Sequence, residues 1–175
     1  MAEKRKEIST KFINSLSIAF ILIVGVVIGY KVINDQAPSY EQMTGQERAL
    51  SGLQGDDRIL MEEAIDTMNN QPLSEQGLYD TLMSGSYGFT EDTAKETIEK
   101  LAKHIDWNEV ALLRAQEYRS YPGLSGEWSG ALAQAMKEQL TSSKADKFTE
   151  SQAQYAIEHI DDKIEKSAIW IGKKA

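Results

Sequence analysis

The sequence predicts an all-α protein: a single N-terminal transmembrane helix followed by a small helical domain of two helix-turn-helix-type repeats. Three observations carry this expectation. Apolar residues recur at helical spacing from about Asp56 onwards. Outside the N-terminal apolar run no stretch alternates as a half-buried strand would. The same helix-start signals then occur twice, in the same order.

Residues 1–11 form a basic segment with Lys4, Arg5, Lys6 and Lys11. From Phe12 to Tyr30, nineteen residues pass without a charge. As a helix rising roughly 1.5 Å per residue this run spans about 28 Å, close to the roughly 30 Å of hydrocarbon it must cross. It exceeds a secretory h-region, no small-x-small cleavage site follows, and Lys31 adjoins it. An uncleaved signal anchor over residues 12–31 is expected, with the N-terminus cytoplasmic and the C-terminal domain outside the cell membrane. Gly25 and Gly29 form a small-xxx-small pair of the kind that lets two anchors approach. Residues 32–55, with Pro38 and three glycines, read as a linker carrying at most a weak helix near Gln46 to Leu53.

The first repeat is expected over residues 56–105. Ile59, Leu60, Ala64, Ile65 and Met68 share helical spacing, and Asn69-Asn70-Gln71-Pro72 stops the helix. Ser74 and Thr90 then cap two further helices, with Leu73 and Phe89 as staples toward Leu78 and Ala94. The second repeat, residues 106–175, includes a C-terminal helix through Ile164, Ala168 and Ile171. Asp106 with Glu109 reads as a capping box opening a helix whose inner face is Val110, Ala111, Ala115 and Tyr118. A shift of 51 residues pairs these positions with Ile59, Leu60 and Ala64. At offset 59, Phe89, Thr90, Glu91, Ala94, Ile98 and Glu99 recur as Phe148, Thr149, Glu150, Ala153, Ile157 and Glu158. Thr149 with Gln152 completes another box. Leu73 to Phe89 is 16 residues but Leu124 to Phe148 is 24, which predicts about two extra helical turns around Trp128 to Leu140.

Charge and residue usage narrow the chemistry. Residues 35–175 hold fourteen Lys/Arg against twenty-five Asp/Glu, a net of −11, while the first 34 residues carry +3. Such an acidic domain argues against nucleic acid, whose phosphates need Lys and Arg. It suits a basic protein partner, and the acidic residues expected to meet one are Glu62, Glu63, Asp66, Asp161 and Asp162. The absence of cysteine excludes disulfides, thiolate sites and cysteine-borne lipid. No phosphate loop, GxSxG elbow, HExxH or calcium loop is present, so no catalytic, cofactor or metal residues are assigned and the protein is read as a non-enzyme. His104 and His159 read as helix-end residues, and Trp107 as packing at the junction of the repeats.

LSEQGL at 73–78, FTEDTA at 89–94, DWNEVALLRAQEY at 106–118, LSGEW at 124–128 and FTESQAQYAI at 148–157 together resemble the Ltp-type domain of host cell surface-exposed lipoproteins of Gram-positive bacteria and their prophages. The resemblance implies a bundle of paired helix-turn-helix repeats outside the membrane. It also implies superinfection exclusion, in which phage adsorb but their DNA is kept out through an interaction with the phage tape measure protein. That family's anchor is a lipidated cysteine, whereas here a transmembrane helix takes its place. The alternative is a structural or adaptor protein of the envelope serving the host bacterium.

Overall fold

Seven α-helices form among the described residues of the computed structural model, which describes residues 39–85, 88–121 and 129–171. In chain order they are α1 (Gly45–Leu50), α2 (Gly55–Asn70), α3 (Glu75–Ser84), α4 (Glu91–Leu101), α5 (Trp107–Arg119), α6 (Gly130–Thr141) and α7 (Glu150–Glu158). Short 3-10 turns occur at Tyr40–Gln42, Ala102–His104 and Lys166–Ile169. Among the described residues there is no strand beyond an isolated antiparallel bridge between Ile105 and Trp170. The fold is all-helical, as the periodicity predicts. No helix among the described residues is long and apolar enough to cross a membrane. The expected span at 12–31, its Gly25/Gly29 pair and the LSGEW segment at 124–128 lie outside the described residues.

Most helices begin where short polar side chains satisfy otherwise orphaned backbone N–H groups. Ser74 Oγ accepts from Gly77 N–H at 3.0 Å to open α3. Thr90 and Thr149, at equivalent positions of the two copies, close capping boxes with Thr93 and Gln152. Asp106 Oδ1 accepts from the N–H groups of Asn108 (3.0 Å) and Glu109 (3.4 Å). The box expected with Glu109 does not close, because Glu109 Oε1 instead accepts from the Tyr155 hydroxyl at 2.9 Å. Packing of α7 on α5 brings that phenol within reach, and a half-buried hydroxyl needs an acceptor. Helix α6 starts at Gly130 with Ser129 as cap and runs 12 residues against 10 in α3. Among the described residues the expected two extra turns amount to two further helical residues; the part of that stretch up to Trp128 lies outside them.

Each copy packs in the same way: α4 lies on α2 and α3, and α7 lies on α5 and α6. Ala94 and Ala153 are wholly buried at the same offset, which keeps these helices close to their neighbours. Leu78, Leu82, Leu101, Leu112 and Leu140 are at most 1% exposed, each burial contributing about 2 kcal/mol from removed apolar surface. The offset of 51 holds through Met61 with Leu112 and Ala64 with Ala115, all buried. It fails at Ile59, which is 62% exposed while Val110 is buried. The inner face of α2 is Met61, Ala64, Ile65 and Met68, and Ile59 falls outside that i, i+3, i+4, i+7 stripe.

The described part of the expected linker is folded. Thr44 and Glu47 form a capping box that opens α1, and Ala49 is buried in the core with Leu50 and Leu53 packed against it. A Cβ on Gly45 would lie 2.7 Å from the Ile171 carbonyl oxygen and 3.0 Å from that of His104, so only glycine admits this approach. The C-terminal helix is likewise corrected: a 3-10 turn leads into an extended strap. Asp106 N–H donates to the Ile169 carbonyl and Ile171 N–H to the His104 carbonyl, both at 2.8 Å. Ile169 and Trp170 are the buried residues there, while Ile171 is exposed. Trp170 Nε1 donates to Asn69 Oδ1 at 3.2 Å, tying the strap to the end of α2.

Candidate interaction surface

The predicted acidic residues fall in two separate groups. Glu62, Glu63 and Asp66 lie on α2, which packs on α1, α3 and α4, whereas Asp161 and Asp162 follow α7, which packs on α5 and α6. Glu62 is exposed and pairs with Arg58 at 2.9 Å, one turn away. Asp66 accepts from Asn70 at 3.1 Å, and Glu63 is half-buried. Asp161 pairs with Arg119. Asp162 meets His159 Nδ1 at 2.8 Å, and its carbonyl accepts from Gln116 Nε2 at 2.5 Å. The Asp161 carboxylate and the Asp162 carbonyl thus fasten the turn after α7 to α5, while the Asp162 carboxylate closes on His159 within that turn.

The junction between copies joins Tyr118 and Ser74, both singled out in the sequence, to Arg114 and Asp146, which were not. Arg114 Nε donates to Asp146 Oδ1 at 2.9 Å, Nη1 to Glu117 at 3.2 Å and Nη2 to the Tyr118 hydroxyl at 3.0 Å. The Tyr118 hydroxyl donates to Asp146 Oδ2 at 2.7 Å. The side chains of Arg114 and Asp146 are only 15% and 8% exposed. Burial works to lower the Arg114 pKa, but the facing Asp146 carboxylate, Tyr118 and the hydrogen bonds outweigh it and raise it. Burial, then the hydrogen bond to Asp146, pushes the Tyr118 phenol up. Ser74 Oγ donates to the Asp146 carbonyl at 2.5 Å, so the cap of α3 in the first copy is anchored on the second.

Next to this junction lies a cleft of about 510 Å³ between α3 and α4 of the first copy and the start of α7 in the second. Glu75, Tyr79, Lys95, Ile98, Glu99 and Lys147 line it. Lys147 pairs with Asp80 and Lys95 with Glu91. The hydrogen bond from Lys147 holds the Asp80 carboxyl below its ordinary value against a smaller opposing effect of burial.

The remaining sequence candidates are structural. Trp107 packs against the core near the start of α5, with its Nε1 buried and unpartnered among the described residues. His159 stacks on Tyr155 with ring centroids 4.2 Å apart. Burial, then Arg48 and Lys103, lowers the His104 pKa. Among the described residues no group of three or more His, Asp or Glu is placed to hold a metal.

Fold and surface together define an acidic, duplicated three-helix domain. Residues 106–160 match the model of the Ltp family, host cell surface-exposed lipoprotein, and this segment is similar to that family. The match starts at the Asp106 cap and ends at the buried Ile160, so it covers α5 to α7 of the second copy and stops short of the C-terminal strap. No curated protein and no solved structure matches the chain.

Proposed function

We propose that this protein is a non-enzymatic interaction protein, held at the outer face of the cell membrane by its N-terminal apolar segment, that restricts phage DNA injection after adsorption. The observation that carries this reading is the Ltp match over the second copy. The net charge of −11 over residues 35–175 supports a basic protein partner, such as a phage tape measure protein, rather than nucleic acid. Exposed Glu62 and Asp66 on α2 remain available to such a partner, since a surface i, i+4 pair with Arg58 is worth only about 0.3–0.5 kcal/mol.

The test is phage adsorption and DNA injection, measured in parallel on cells expressing the full chain and on cells lacking it. Normal adsorption with reduced injection for a subset of phages is expected. No change in either across a broad panel would overturn the reading. Affinity for an isolated basic partner should fall from low to moderate salt, because exposed charge pairs are screened over about 10 Å at 0.1 M.

A further inference from the structure

The cleft between the copies has an electrostatic imbalance that the fold does not use. Lys147 and Lys95 are neutralised by Asp80 and Glu91. Glu75 and Glu99, on two different helices of the rim, form no ion pair or side-chain hydrogen bond among the described residues. Counting the lining residues with the partners of the two lysines, the cleft carries a local charge of −2. Glu75 opens α3, where the helix dipole favours a carboxylate. Glu99 has no such reason, since it lies in the last turn of α4, where the dipole disfavours negative charge. Its counterpart Glu158 is engaged, accepting from Gln154 at 2.7 Å. Between the two free carboxylates the wall is hydrocarbon, from Tyr79, Ile98 and Ala102.

A simple cation would leave that hydrocarbon wet, and an apolar ligand would strip water from two unpaired carboxylates. Both demands are met by a chain segment bearing basic residues beside apolar ones. We propose that this cleft docks a cationic, amphipathic peptide segment of a protein partner, with its Lys or Arg side chains on Glu75 and Glu99 and its apolar side chains over Tyr79, Ile98 and Ala102. The proposal rests on the interaction reading above and moves the contact from the α2 carboxylates to the seam between copies. It also gives the duplication a purpose, because neither copy alone encloses the cleft.

The experiment uses the full chain in nanodiscs of zwitterionic lipid, with empty nanodiscs as control. The probe is a short helical peptide of Lys and Leu with its lysines on one face, compared with an oligolysine of equal charge. Addition of the Lys/Leu peptide should shift the methyl NMR signals of Ile98, Ala102 and Thr149 and leave those of the buried Ala64 and Ile65 in place. Oligolysine should bind at least about tenfold more weakly, for want of apolar contact. Glu75→Gln with Glu99→Gln should weaken the peptide about tenfold, whereas Glu62→Gln with Asp66→Asn should not. Equal binding of both probes, unshifted Ile98 and Ala102 methyls, or an unchanged affinity in the Glu75/Glu99 double variant would each overturn the proposal. A chain that binds the peptide at the cleft yet leaves phage injection unrestricted counts against the phage reading alone.

Discussion

The two copies approach their third helix by different means. In the first, Gly88 takes a φ of 78° just before Phe89 and the Thr90 cap, a left-handed turn that glycine makes without a Cβ clash. At the equivalent place in the second stands Lys147, with a φ of 60°. An L-residue there costs about 1–2 kcal/mol, so its surroundings must hold it. Lys147 N–H donates to the Ser142 carbonyl at 3.2 Å, its ammonium pairs with Asp80, and the adjacent Asp146 is locked by Arg114 and Tyr118. The first copy thus achieves with a backbone what the second achieves with a side-chain network. Because that network reaches across to Asp80 and Ser74, the strained residue also holds the copies together.

Substitutions can break or sharpen this contrast. The core should not distinguish the copies: Leu82→Ala and Leu140→Ala, each removing a fully buried side chain, should both cost about 3 kcal/mol in urea unfolding of the full chain. Costs differing by more than about 2 kcal/mol would show that the copies are not energetically alike. Asp146→Ala should cost about 2 kcal/mol, less than a fully buried pair because the Arg114 side chain keeps 15% exposure. A cost no larger than that of removing the surface Glu91–Lys95 pair would mean that the network does not hold the seam.

At the left-handed turns the signs should oppose. Gly88→Ala should destabilise by about 1 kcal/mol, and Lys147→Gly in an Asp80→Asn background should stabilise by a similar amount. The smallest effect is in acid. Asp80 has its folded pKa depressed by Lys147, so its contribution is complete above the unfolded value, roughly 3.9, and is lost as pH falls through the lower folded value. An NMR titration of the Asp80 carboxyl should show this depression and its disappearance in Lys147→Gly.

Local signals made the helices legible. Ser74, Thr90, Asp106 and Thr149 cap as their positions predict, since a cap needs only the next three residues. Ala94 and Ala153 were legible because periodicity and repetition agreed. The α1 helix carried the same signal, the Thr44-x-x-Glu47 box, but its glycines and neighbouring Pro38 weighed toward a linker. The seam was not legible: Arg114 and Asp146 are 32 residues apart, and only the packing of α5 beside the turn before α7 makes them neighbours. Glu109 shows the same limit, since its local box lost to Tyr155, 46 residues away. The cleft also required three dimensions, because its carboxylates stand out only once Lys95 and Lys147 are seen to be satisfied.

The most direct test of the proposed function asks whether the folded helical domain, rather than the N-terminal apolar segment alone, keeps phage DNA out. DNA injection would be measured on cells carrying the intact chain and on cells carrying Leu140→Asp, a charge in a wholly buried position, at matched membrane abundance. The account predicts that both cell types adsorb phage equally and that only the intact chain reduces injection. Equal restriction by both chains would contradict it.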